Sequence, residues 1–372
     1  MKKLGIVTFY NAHNYGAMLQ AMALQDYFKE NEEIDSYIIN YRNQEIDDRY
    51  KLNDWSNLNI KKILKNIYKY FAFSRKLKKR SNSFEQFLNE NFNLTQLYKS
   101  DTELKENYPK FDYYVTGSDQ VWNYKITNGI NDIYTLNFGN KETVRFSYAA
   151  SIGNDKFDKK YEQEYVKKLD CLNNISVREK SAQHKLEKIL NREVFEVVDP
   201  TLLMDKEYWK NKVEKCNKKE KEKYILAYQV DPNSEYNKIV DFISNELGLK
   251  VIHFERRNNN YNRILRSAYT EGPMDFVRLI KDAEFVINTS FHGTVFSTIF
   301  HKKFLVIPHK ETGSRMIDYL DKIGLSDRII YKYDELNKID YNNEIDYKKV
   351  DEKIGEERKK SREFIKIALA KK

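Results

Sequence analysis

Cysteine is nearly absent from this chain. Cys171 and Cys216 are the only two among 372 residues, too few for a disulfide framework, and no Cys-x-x-Cys pair offers a zinc or redox site. Only 5 prolines and 12 glycines occur, which excludes collagen-like and low-complexity architectures. No apolar run approaches the roughly 18 residues of a membrane-crossing helix. The apolar opening Leu4–Phe9 gives way at once to Tyr10-Asn11-Ala12-His13-Asn14, too short and too soon polar for a signal peptide. The expected setting is a reducing, cytoplasmic one, in solution or peripheral on the inner face of the cell membrane. Acidic residues are missing from one long stretch, with none between Trp55 and Phe84. That stretch holds Lys61, Lys62, Lys65, Lys69, Arg75, Lys76, Lys78, Lys79 and Arg80, nine cations that equal the whole net charge of +9. The rest of the chain is close to neutral, so the expected partner is a local anionic surface and not nucleic acid.

What is present is material for cores: 41% hydrophobic residues beside 33% charged ones. The length suits two domains. Short apolar runs at Leu4–Phe9, Ile34–Ile39, Tyr113–Thr116, Val144–Ala149, Ile175–Val177 and Val194–Val198 read as buried strands. Helical patterns such as Ala17–Lys29, Tyr161–Leu172 and Ser181–Leu190 separate them, and this alternation predicts a parallel sheet covered by helices. After a Lys/Glu-rich pause at Asp205–Lys223 the pattern resumes with Tyr224–Tyr228, Lys250–Phe254, Phe285–Asn288 and Phe304–Ile307. A helix at Pro273–Ala283 opens on a proline at its first turn. The expected organisation is an α/β half over residues 1–210 and a second over 211–372, the latter ending in a helical tail from about 342. The first half carries an insertion over about 45–110, longer than an ordinary crossover. Within it Ile60, Ile63, Leu64, Ile67, Tyr70 and Phe71 recur at helical spacing among the lysines. Residues 58–80 thus predict an amphipathic basic helix, either lying on an anionic bilayer or packed as an ordinary surface helix.

Ligands of open parallel sheets bind beyond the carboxyl ends of the strands. Those ends carry Asn11, His13, Asn14, Tyr15 and Gly16; Gly117, Ser118, Asp119, Gln120, Trp122 and Asn123; Arg178 and Glu179; and Asp199. In the second half they carry Gln229, His253, Arg256, Arg257, Ser290, His292, Gly293, Thr294, His309 and Lys310. Two sheets facing each other would pool these groups in one polar, cation-rich cleft. Asn11 and Asn14 suit sugar hydroxyls, although Asn14 could equally cap a helix. Ser118-Asp119 could be no more than a turn and a cap. Around Ser290 and His292 a strand passes into an apolar helix, so free amides at Gly293 and Thr294 are expected to face an anion beside a protonatable ring. A histidine merely packed at a helix start is the alternative. Farther on, Ser314 is expected to cap a helix and Arg315 to bind an anion through its fork. Dinucleotide, Walker, zinc-protease and nucleophile-elbow signatures are absent, as is a carboxylate cluster for a metal.

Seven segments in order carry a resemblance: Gly5–Phe9 through Asn14–Ala21, Gly117–Asn123, Ser147–Ser151, Ser176–Glu179, Asp199–Leu203, Thr289–Thr294 and Ser314-Arg315. Together they resemble the polysaccharide pyruvyl transferase family. The resemblance implies two facing Rossmann-like domains of the GT-B kind with an interdomain active-site cleft. It implies transfer of pyruvate from phosphoenolpyruvate to a sugar, as a ketal, in the biosynthesis of a bacterial capsule or other surface polysaccharide on a lipid-linked acceptor. On that reading His292 and Asp119 are catalytic. Arg178, Ser290, Gly293, Thr294, Ser314 and Arg315 bind the donor. Asn11, Asn14, Tyr15, Ser118, Gln120, Trp122 and Asn123 bind the acceptor. No metal or further cofactor is expected. Two other functions stay open: a GT-B glycosyltransferase using a nucleotide-sugar, and a non-catalytic polysaccharide-binding or membrane-recruited assembly protein.

Overall fold

A computed structural model describes residues 1–42, 67–140, 142–153, 158–215, 218–230, 233–255, 261–308 and 313–370, and the side chains of these except 67–73. The first sheet has the order β2-β1-β3-β4, all parallel, from β1 (Lys3–Val7), β2 (Asp35–Ile38), β3 (Tyr113–Thr116) and β4 (Val144–Ser147). The parallel pair β5 (Ser176–Val177) and β6 (Phe195–Glu196) continues it through bridges from Phe146 to Asn174 and from Ala150 to Val177. The second sheet, also parallel, has the order β11-β10-β7-β8-β9, from β7 (Tyr224–Tyr228), β8 (Lys250–His253), β9 (Ile264–Ser267), β10 (Phe285–Asn288) and β11 (Lys303–Val306). The strand β9 escapes the sequence pattern because it is a half-exposed edge in which Arg266 and Ser267 interrupt the apolar run.

The first helix, Tyr15–Asn31, is buried without a break from Tyr15 to Phe28. A helix buried on every side belongs in an interior, and this one touches both β2 and the second-half helices Pro273–Asp282 and Phe291–Ile299. One hydrophobic cluster runs across both halves, from Leu4 and Met18 through Phe84 to Leu226, Phe276 and Phe364. The halves are therefore joined by a common core as well as by the chain. Of the first helix's buried polar residues Gln20, Gln25 and Asp26, the most deeply buried is Gln20. Its amide donates to Thr8 Oγ1 at 2.9 Å and accepts from the Ser118 amide at 3.1 Å, tying the ends of β1 and β3 together.

The terminal helix, Tyr347–Leu369, follows the second half in sequence and packs on both halves, against Pro200–Leu203 and β4 of the first and Ser314–Ile323 of the second. Arg358 Nε donates to the Leu202 carbonyl at 2.6 Å, and Arg362 to that of Leu203 at 3.1 Å. These cations satisfy carbonyls left over at the end of the short helix Pro200–Leu203. Of the basic insertion, Leu58–Asn66 lie outside the described residues, as do Arg256, Arg257, His309 and Lys310. In the described part, Ile67–Asn91 forms a helix. Its Arg75, Lys76, Lys78 and Lys79 are exposed, while Leu77, Arg80 and Phe84 face inward. No helix among the described residues is long and apolar enough to cross a membrane.

Candidate active site

Asp199 is the hub where the halves meet. It follows β6 and caps the helix Pro200–Leu203, with Oδ1 accepting from the Thr201 amide at 3.0 Å and the Thr201 hydroxyl at 2.7 Å. Oδ2 accepts from Arg178 Nη1 at 2.8 Å and from the Ser118 hydroxyl at 3.4 Å. His292 Nε2, from the opposite half, lies 3.5 Å from the same oxygen. Asp199 is 1% exposed. Burial alone would raise its pKa, but His292, Arg178 and the Thr201 amide outweigh it and hold the carboxyl well below the usual range.

Arg178 is buried as well. Burial works against its charge, yet Glu179, Asp199 and Asp119 together keep the guanidinium firmly protonated. Its Nε lies 3.3 Å from Glu179 Oε1, its guanidinium carbon lies 4.8 Å from the centre of the Phe291 ring, and Nη2 has no hydrogen-bond partner among the described residues. Arg315 lines the same small cavity together with Asp199, Phe291, Tyr319 and Lys322. Two guanidiniums, one of them with a donor unpartnered among the described residues, therefore line one cavity beside the start of the Phe291–Ile299 helix, together with the carboxylates of Glu179, Glu196 and Asp318.

His292 is the second residue of that helix and is 9% exposed. A Cβ on Gly16 would stand 2.0 Å from His292 Nδ1, so only a glycine lets the first helix approach the ring this closely. With Nε2 against Asp199, the other ring nitrogen faces Gly16 in the first turn of the first helix. Asp119 is half-buried with a left-handed backbone (φ 68°), and its Oδ1 accepts from the Gln120 amide at 2.9 Å. Its backbone bridges to Ala150, whose carbonyl accepts from the Arg178 amide at 3.2 Å, and its charge helps keep Arg178 protonated.

Several expected contacts fall elsewhere. The Gly293 amide is taken by the Ser290 hydroxyl at 3.3 Å and the Thr294 amide by the Ser290 carbonyl at 2.9 Å. Those two amides are consumed by the helix cap, and the helix start presents Phe291 and His292 instead. The Thr294 hydroxyl bonds to Asn288 and to the Ser290 carbonyl. The cap of the Ser314–Ile323 helix is Gly313, with Ser314 as its first residue.

Among the acceptor candidates, Tyr15 is sealed between the halves. It stacks on Phe276 at 4.8 Å, donates to the Glu271 carbonyl at 3.1 Å and has its phenol pKa pushed up to about 12, chiefly by burial. Trp122 is fully buried with its indole N–H on the Tyr134 carbonyl at 2.9 Å, and Ser118 is turned inward to the Ala149 carbonyl. Asn123 is buried, bonding to Gln120 and capping the helix Tyr124–Thr127. These four offer no face to a sugar because packing and hydrogen bonds already occupy them. Asn14 caps the first helix through the Ala17 amide at 3.2 Å. Asn11 and Gln120 remain half-buried at the strand ends. His253 is buried 2.9 Å from Glu255 with Tyr261 beside it.

In the sequence Asp199 and Gly16 stand at strand ends with no role assigned to either. Asp199-Pro200 signals a capped helix start, but nothing local announces its convergence with Arg178 and His292.

A family model described as polysaccharide pyruvyl transferase matches residues 14–311. No curated protein matches the chain by sequence. Among solved structures, a UDP-N-acetylglucosamine 2-epimerase from Rickettsia bellii superposes with a TM-score of 0.51 at 12% identity, over 98% of this chain and 96% of that one. TarM from S. aureus, solved as a variant with fondaparinux, alpha-GlcNAc-glycerol and UDP, gives 0.50 at 11% identity, over 98% of each chain. At such identities the likeness concerns the fold, which is GT-B, with parallel sheets in two facing halves. With the family match spanning most of its length, and all of the Arg178–Asp199–His292 cluster within the matched range, the chain belongs to the polysaccharide pyruvyl transferase family.

Proposed function

We propose that the protein transfers pyruvate from phosphoenolpyruvate to a pair of sugar hydroxyls, forming a ketal on a precursor of a bacterial surface polysaccharide. The observation that carries this reading is the cluster of Arg178, Asp199 and His292, joined by Arg315, at the start of one helix between the halves. Arg178 and Arg315 take the donor's carboxylate and phosphate, helped by the positive end of the Phe291–Ile299 helix. His292, with Asp199 as counter-ion, supplies a proton to C3 of the enol as a first sugar hydroxyl adds to C2. Asp119 accepts the proton of that hydroxyl. Phosphate then leaves from C2 and the second hydroxyl closes the ketal, its proton going to the phosphate. One enol phosphate and two hydroxyls thus yield a ketal and inorganic phosphate, and the scheme needs no metal or further cofactor. Incubating the protein with phosphoenolpyruvate and a panel of lipid-linked sugars, followed by mass spectrometry, tests this. Gain of a pyruvyl group supports it; a thermal shift with nucleotide-sugars and none with phosphoenolpyruvate contradicts it.

Gly16→Ala is expected to push the His292 ring aside. Turnover should fall about 10²-fold, the scale of a misplacement of ~1 Å, with about 1–3 kcal/mol lost to overpacking. Rates and thermal melts on the one variant check this. Normal turnover in the folded variant would contradict the packing of helix against ring.

The exposed Arg75, Lys76, Lys78 and Lys79 further support docking on an anionic bilayer where a lipid-linked acceptor lies. The inward Leu77 and Phe84 make this contact electrostatic over the described part of the segment. At about 1 kcal/mol per cation, replacing all four by Gln should weaken binding to phosphatidylserine vesicles about 10²-fold or more. The wild-type affinity should fall with added salt. Equal co-sedimentation with neutral and anionic vesicles would end this reading.

A further inference from the structure

Arg80 belongs to the basic segment but does not face outward with it. It is 9% exposed and forms no ion pair among the described residues. Its Nη1 donates to the Tyr15 hydroxyl and, at 2.8 Å, to the Tyr269 carbonyl; Nη2 donates to the His13 carbonyl at 3.2 Å. Three rings enclose the guanidinium: Phe84 at 4.6 Å, Tyr15 at 4.7 Å and Tyr269 at 5.0 Å from their centres. These partners come from three parts of the molecule. His13 and Tyr15 flank the start of the first helix, Phe84 lies on the insertion helix, and Tyr269 follows β9 in the second half. Next to Tyr15 stands Gly16, the residue pressed against His292.

An unpaired buried cation is costly, and an apolar side chain of similar volume would fill the space at lower cost. What an apolar side chain cannot do is fix oxygens on separate elements with a rigid planar fork. We propose that Arg80 is a positioning residue: it locks the His13–Gly16 segment to the second half and so holds the first helix in register with the His292 ring. The insertion helix Ile67–Asn91, which carries Arg80, shows Arg75, Lys76, Lys78 and Lys79 to the outside, so one element joins the basic surface to the cleft. For its effect on turnover the inference rests on the pyruvyl-transfer reading; the placement of the segment does not.

Arg80→Leu and Arg80→Lys test it. In Arg80→Leu, hydrogen exchange should speed up at the Ala17 and Met18 amides, whose bonds to Asn14 hold the helix start, while β1 and β7 keep their protection. Turnover should fall about 10²-fold, with the thermal shift caused by phosphoenolpyruvate unchanged. Arg80→Lys, which keeps the charge but not the fork, should recover only part of the rate. Unchanged exchange at Ala17 and Met18 in folded Arg80→Leu overturns the proposal. So does a merely structural pattern, in which exchange rises throughout and turnover per folded molecule stays normal. Should Arg80→Leu fail to fold, Arg80→Lys decides alone, and wild-type exchange and rate in that variant overturn the proposal. Absence of pyruvyl transfer in the wild type would sink the proposed function, and the exchange experiment would still decide the role of Arg80.

Discussion

His292→Ala is expected to lower turnover by about 10²–10⁴, the usual range for removing a positioned proton donor, while the protein stays folded. A purely exposed cleft residue would leave stability untouched, but His292 is 9% exposed, packed against Gly16 and edge-on to Phe291. A loss of about 1–2 kcal/mol is therefore expected alongside the rate effect. Asp199 loses one neighbour in this variant and keeps Arg178 and Thr201, so the carboxylate is not abandoned. Turnover and a urea melt measured on one preparation separate the two contributions. Should the rate fall only in proportion to the unfolded fraction, His292 is packing and not chemistry.

Asp199→Ala should be the more damaging change to the fold. It strips Arg178 of its 2.8 Å partner and Thr201 of its cap, leaving a buried guanidinium with Glu179 as its remaining close counter-charge. Breaking a buried pair on one side costs about 3–5 kcal/mol. Asp199→Asn keeps the shape and part of the hydrogen bonding, so it isolates the charge. Its turnover should drop about as far as that of His292→Ala, because the ring loses its counter-ion. The folded-state pKa of Asp199 is depressed from the ordinary ~3.9. Its contribution to stability is consequently full above that value and is lost as pH falls toward the folded-state pKa. The stability gap between wild type and Asp199→Asn should stay constant above about pH 5 and narrow in acid. A gap that widens in acid would show that the carboxylate is not held in its charged form.

Much of the architecture was legible because its signals act over a few residues. Tyr113–Thr116, Tyr224–Tyr228 and Phe285–Asn288 read as strands from apolar runs alone, and the structure has them at those bounds. Pro273 at a first turn and Ser290 before an apolar helix marked true helix starts. The short, half-exposed β9 was not legible, since its pattern lacks the contrast between buried and exposed positions.

The amino-acid sequence by itself determined the parallel sheets, caps such as Asn14 and Ser290, and the set of polar groups delivered to the strand ends. Period, capping and turn chemistry are local, and each is complete within one or two turns of chain. Only the tertiary structure decided which of those groups work together. Arg178, Asp199 and His292 converge because the shared core, through the first helix buried from Tyr15 to Phe28, sets one sheet against the other. The same packing sealed Tyr15 between the halves and turned Arg80 inward, while the first half's own core enclosed Trp122. Aromatic and charged side chains carry no local mark of which side of an interface they will occupy. That choice follows from the cost of leaving buried charges and polar groups unpaired, and this cost exists only once the two halves have come together.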